Sequence, residues 1–91
     1  IPDVVGDHKG PATLRIRPNP SRDGCRITLP GTGIRHLSIV DATGRLVREI
    51  PCVAGQSEVR MDRGDLRGGI YRVVARNGDG CVEAAGRVVF E

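Results

Sequence analysis

The chain has 91 residues, 38% of them hydrophobic, with one tyrosine, one phenylalanine, no tryptophan and a net charge of +3. That length holds one domain with a thin core of small aliphatic side chains, because chains of this size bury roughly 60–70% of their unfolded surface. No apolar run is long enough to span a membrane. Lys9 is the only lysine, so every other of the 14 basic side chains is an arginine, and these are interleaved with acids along the whole chain. A nucleic-acid partner usually calls for a concentrated basic stripe with stacking aromatics, and the aromatics are missing.

Residues 1–13 form a linker, with Pro2, Gly6, Gly10 and Pro11 among charges. There is no signal-peptide pattern, and a start at Ile1 suggests a piece of something longer. Leu14 to Arg17 alternates as a first strand. Pro18-Asn19-Pro20 ends it, because two prolines remove two backbone donors. Cys25 to Leu29 is a second strand, with Cys25, Ile27 and Leu29 inward. Ile34 to Val40 is a third, with Leu37 and Ile39 as its core pair. Asp41-Ala42-Thr43-Gly44 fits a type I turn, with Asp first and Gly fourth. Arg45 to Ile50 returns as a fourth strand, stopped by Pro51.

Ser57 to Asp62 is a fifth strand, with Val59 and Met61 inward. Arg63 to Gly69 crosses over, and Leu66, its lone apolar residue, plugs one end of the core. The strongest strand signal is Gly68 to Arg76. Tyr71, Val73 and Ala75 share one face, and Arg72, Val74 and Arg76 the other. The Tyr71 ring belongs in the core with its hydroxyl on a nearby backbone group. Asn77 to Gly80 is a hairpin loop. Cys81 to Phe90 is the last strand, with Val82, Ala84, Val88 and Phe90 on one face. Seven short strands without helical periodicity predict an all-β, seven-stranded antiparallel immunoglobulin-like sandwich over residues 14–91. Its expected core holds Ile16, Ile27, Leu37, Ile39, Met61, Tyr71, Val73 and Val88.

Little here points to catalysis. His8 and His36 share no motif with a nucleophile. Asp23, Asp41 and Asp79 sit where turn chemistry explains them, and no calcium-loop pattern exists. Arg63-Gly64-Asp65 spells an integrin-recognition triplet that is cheap by chance in a chain rich in arginine and glycine. Cys25, Cys52 and Cys81 form no C-x-x-C pair. With strands alternating up and down, Cys52 and Cys81 fall at one end and Cys25 at the other. A Cys52–Cys81 bond and three small buried hydrophobes are both compatible with this arrangement. The expectation is no enzyme, no metal and no cofactor.

Four motifs in order carry a resemblance: Pro18-Asn19-Pro20, Asp41-Ala42-Thr43-Gly44-Arg45, Leu66-Arg67-Gly68-Gly69-Ile70-Tyr71, and the closing Arg87-Val88-Val89-Phe90. Together they resemble the C-terminal sorting domain of type IX secretion cargo, in its type A form. The Pro-Asn-Pro opening and the Asp41-to-Arg45 turn are also similar to the immunoglobulin-like domain of the flagellar hook-capping protein. Val59-Arg60-Met61-Asp62 fits the sorting form better, because the hook-capping form usually has a W-D-G stretch there. The family often places a basic pair before its last apolar residues, where this chain has Gly86-Arg87.

The resemblance implies a bacterial, non-catalytic address at the end of a larger secreted protein. It implies a preceding cargo domain, recognition by the secretion machinery at the outer membrane, removal by a sortase-like peptidase, and a secreted or cell-surface destination. Arg87, Val88, Val89 and Phe90 are the candidate recognition element, where a partner could pair as an added strand; the alternative is that they only complete the sheet. Pro18, Asn19, Pro20, Asp41, Gly44, Leu66, Gly69 and Tyr71 are the supporting motif. The other reading is a structural sandwich module of an extracellular protein or appendage, mediating assembly or ligand contact.

Overall fold

A computed structural model describes residues 12–91. It holds eight strands and no helix among the described residues: β1 (Ala12–Thr13), β2 (Arg15–Arg17), β3 (Gly24–Thr28), β4 (Ile34–Val40), β5 (Leu46–Pro51), β6 (Glu58–Asp62), β7 (Gly69–Asn77) and β8 (Val82–Phe90). They form a five-stranded sheet in the order β1-β8-β7-β4-β5 and a three-stranded sheet in the order β2-β3-β6. The expected count of seven is corrected by β1, which pairs in parallel with β8 through Ala12 and Ala84, and Thr13 and Ala85. Every other strand pairing is antiparallel. Ala12 and Thr13 are thus sheet residues, and the remainder of the expected linker, with His8, lies outside the described residues.

The alternation along each strand decides what is buried. Ile16, Cys25, Ile27, Val59 and Met61 face inward from the smaller sheet, and Leu37, Ile39, Val73, Ala75, Ala84, Val88 and Phe90 from the larger one. All eight expected core residues are buried. Leu66 packs against the core half-buried, at one end as expected. Val82 does not join its strand's inward face. The register slips between Ala75 and Arg76, so one extra residue in β8 turns Val82 outward, where it is 42% exposed.

Two devices join the layers. On one side the chain passes from β1 into β2, and the Leu14 amide donates to the Ala85 carbonyl at 2.9 Å on the way. That passage lies directly against Gly86, whose missing Cβ would stand 3.0 Å from the Leu14 Cβ and 3.1 Å from the Ile16 Cδ1. A side chain at this position would collide with the crossing segment, which accounts for a glycine before Arg87. On the other side Arg48 of β5 donates to the carbonyls of Asp62, the last residue of β6, and of Arg63 just beyond it, the latter at 3.1 Å.

Candidate recognition site

Of the two readings of the final strand, a point where a partner strand adds or a strand that completes the sheet, the structure favours the second. β8 is nine residues long and lies inside its sheet, with β7 on one side. On its other side β1 comes first, and the Pro-Asn-Pro motif follows. Asn19 turns its side-chain amide onto the strand. Its Nδ2 donates to the Arg87 carbonyl at 2.7 Å, and its Oδ1 accepts from the Val89 amide at 3.0 Å. One side chain thereby supplies the donor and acceptor that a neighbouring strand would supply. Both proline bonds of the motif, Arg17-Pro18 and Asn19-Pro20, are cis. Just beyond, the Ser21 amide donates to the Val89 carbonyl at 2.8 Å and the Glu91 amide to the Ser21 carbonyl at 2.9 Å. A partner strand would have to displace all of these contacts.

The four candidate recognition residues divide between two faces. Val88 and Phe90 are 0% and 2% exposed, so neither side chain can touch a partner while the domain is folded. Phe90 meets Tyr71 edge-on at 5.8 Å between ring centroids. Arg87 is exposed and Val89 half-buried on the outward face.

Arg63 is the residue that sequence reasoning underrated. Its guanidinium lies 5.4 Å from the centre of the Phe90 ring. It donates to the carbonyls of Arg22 at 2.9 Å, Leu66 at 2.8 Å and Glu91 at 2.6 Å. The Arg63-Gly64-Asp65 triplet is therefore a clamp on the end of β8, and its arginine is engaged within the domain. The carbonyls of Arg22 and Glu91 belong to distant segments, and no local pattern signals them.

The other motif residues have local structural work. The Tyr71 hydroxyl donates to the Arg67 carbonyl at 2.8 Å, the backbone bond expected of it. Gly69 enters β7 with φ of 148°, a conformation that side-chain-bearing residues rarely adopt. Asp41 organises the turn between β4 and β5. Its Oδ1 accepts from the Thr43 hydroxyl and the amides of Thr43 and Arg45 at 2.6, 2.9 and 3.0 Å, and the Gly44 amide donates to the Asp41 carbonyl at 3.0 Å. The Thr43 hydroxyl first, then the Arg45 amide, hold the Asp41 carboxyl below its ordinary range.

The three cysteines are free thiols. Cys52 and Cys81 do share the end opposite Cys25: the Cys52 amide bonds Arg35, while Cys81 faces Asn77 across the β7–β8 loop. However, β4 and β7 lie between β5 and β8. Three strand spacings amount to about 14 Å, beyond the roughly 7 Å between Cα atoms that a disulfide tolerates. Cys81 is exposed, so it is not the third buried hydrophobe either. Burial pushes the Cys25 and Cys52 thiols up.

The outer face of the five-stranded sheet is open. Arg72 and Arg87 are cross-strand partners there. Both are exposed, and neither has an ion-pair partner among the described residues. They border a groove of about 710 Å³ that Thr13, Val40, Asp41, Ile70 and Ala85 also line. Ile70 is 50% exposed, an apolar side chain beside two unpaired cations. His36 stands 4.0 Å from Glu49 elsewhere on this sheet. Among the described residues no group of three or more His, Cys, Asp or Glu side chains could hold a metal ion.

A family model, the secretion system C-terminal sorting domain, matches residues 15–90. No curated protein and no solved structure matches the chain. The matched span runs from the first residue of β2 to the last of β8, so it takes in every strand but β1, with Asn19 and Arg63. The chain belongs to this family: it is a C-terminal sorting domain of type IX secretion, which marks an exported protein for passage through the outer membrane to the cell surface or the medium.

Proposed function

We propose that the domain acts as a non-catalytic address that the secretion machinery reads in its folded form, on the outer face of the five-stranded sheet. The observation that carries this is the exposed Arg72–Arg87 pair beside Ile70, at a groove with no internal partner for either guanidinium among the described residues. An exposed apolar side chain beside two arginines that have no ion-pair partner among the described residues has the composition of a binding patch. Arg87 supplies the polar contact, and Val88 and Phe90 act from beneath by fixing the strand that presents it. Strand addition at β8 is disfavoured because Asn19 and Ser21 occupy its outer edge. The five-and-three arrangement of strands supports an immunoglobulin-like sandwich as the frame. The implied partners are the outer-membrane secretion machinery, a sortase-like peptidase and a preceding cargo domain.

The test fuses a periplasm-directed fluorescent protein ahead of Ile1–Glu91 in a bacterium with type IX secretion. The intact fusion should reach the surface or the medium. Arg72→Glu with Arg87→Glu should leave it in the periplasm, with a thermal melt unchanged from the parent. Normal export of that folded double variant would show that recognition lies on another face.

A further inference from the structure

A second basic feature stands on the opposite side of the sandwich. β2, β3 and β6 place Arg17, Arg26 and Arg60 in a single row, each the Cα partner of the next. Arg15 lies two residues before Arg17 on the same outward face. All four are exposed. Arg60 has Asp62 at 3.8 Å, while Arg15, Arg17 and Arg26 have no ion-pair partner among the described residues. Like charges directly opposite one another destabilise a sheet, so this row works against the fold unless an anion covers it. A depression of about 620 Å³ runs along one side of the row, with Asp23 and Asp62 in its wall. A smaller one of about 290 Å³, lined in part by Glu58, runs along the other.

We propose that an extended acidic peptide segment lies along the Arg17–Arg26–Arg60 row, across the strands. Strands are about 4.8 Å apart, so the row is about 10 Å long, and an extended peptide presents same-side groups about every 6.6 Å. Two or three alternating carboxylates therefore match it within the reach of arginine side chains. The guanidinium fork takes a carboxylate through two parallel hydrogen bonds. The acids flanking the row choose the shape of the ligand. A membrane surface pressed on this face would also meet Asp23, Glu58 and Asp62, whereas a narrow chain along the row meets arginines. A nucleic-acid strand would find no ring to stack on, because Tyr71 and Phe90, the chain's two aromatics, are buried. This surface is independent of the Arg72–Arg87 groove, and export need not depend on it.

The test uses the 91-residue chain and a fluorescein-labelled decapeptide of alternating glutamate and serine, followed by fluorescence anisotropy. The peptide should bind, more weakly as salt rises, and its glutamine–serine counterpart should not. Arg26→Glu should weaken binding by about tenfold or more while raising Tm, because it replaces a like-charge row with alternating charge. Arg26→Gln should also weaken it, and Arg35→Glu, the same charge change on the other sheet, should alter it by less than about twofold. Equal losses from Arg26→Glu and Arg35→Glu, no preference over the neutral peptide, or tighter binding of anionic phosphatidylglycerol vesicles or oligothymidylate would each overturn the proposal.

Discussion

Replacing Asn19 is the sharpest test of how the last strand is held. Asn19→Ala removes the donor to the Arg87 carbonyl and the acceptor for the Val89 amide. A hydrogen bond contributes about 0.5–1.5 kcal/mol net, and these groups are near water that can partly replace the side chain. The expected loss is therefore about 1–2 kcal/mol. In a domain of this size each kcal/mol moves Tm by about 4–8 °C, so Tm should fall by about 5–15 °C. Asn19→Asp separates the two bonds. Its carboxylate still accepts from Val89, but it sets an oxygen against the Arg87 carbonyl, where the amide nitrogen stood 2.7 Å away. At neutral pH it should be no more stable than Asn19→Ala. In acid its protonated form can donate again. Its deficit relative to the parent should then shrink, because the carbonyl contact raises the folded pKa of the introduced acid. Thermal melts of the three proteins by circular dichroism at pH 7 and at about pH 3 give the comparison. If Asn19→Asp matches the parent at pH 7, Asn19 does not close the edge of β8 and the reasoning fails.

Gly86→Ala should cost about 1–3 kcal/mol by overpacking, because its Cβ would meet Leu14 and Ile16 at 3.0–3.1 Å; a melt equal to the parent's would show that the crossing segment yields freely. Asp41 has a folded pKa below its unfolded value, so its contribution is present above the unfolded value and is lost as pH falls through the depressed one. Asp41→Asn should accordingly flatten part of the acid decline of Tm between about pH 4 and pH 2, and an identical pH profile would refute this. Of the three thiols, Cys81 should react at once with iodoacetamide in the native protein, while Cys25 and Cys52, buried with raised pKa values, wait for unfolding. Peptide mapping that finds Cys52 labelled as fast as Cys81 would contradict the burial.

Much of the fold is a local property. Alternation in the segments holding Ile27, Leu37, Met61 and Val73 placed them in the core, because a strand's period of two assigns faces without reference to any partner. The turn at Asp41 and the loop at Asn77 were equally legible, since their hydrogen bonds run between residues two to four apart. The ordered motifs were enough to place the chain in its family.

The edges were not legible. Which strands lie inside a sheet depends on pairings between segments far apart in sequence, and Asn19 meets Arg87 and Val89 across separations of 68 and 70 residues. The same holds for Arg63 on Glu91 and for Leu14 against Gly86. Val82 turned outward because of a bulge whose position is set by pairing with β7, not by its own segment. Cys52 and Cys81 fell at the same end, as strand direction required, but strand order then set two strands between them. Sterics and hydrogen bonds within a few residues settle where the chain turns and which residues face the core along an unbulged strand. Which backbone edges and which arginines stay free is settled by long-range packing, because it depends on which distant segment reaches each hydrogen-bonding group first.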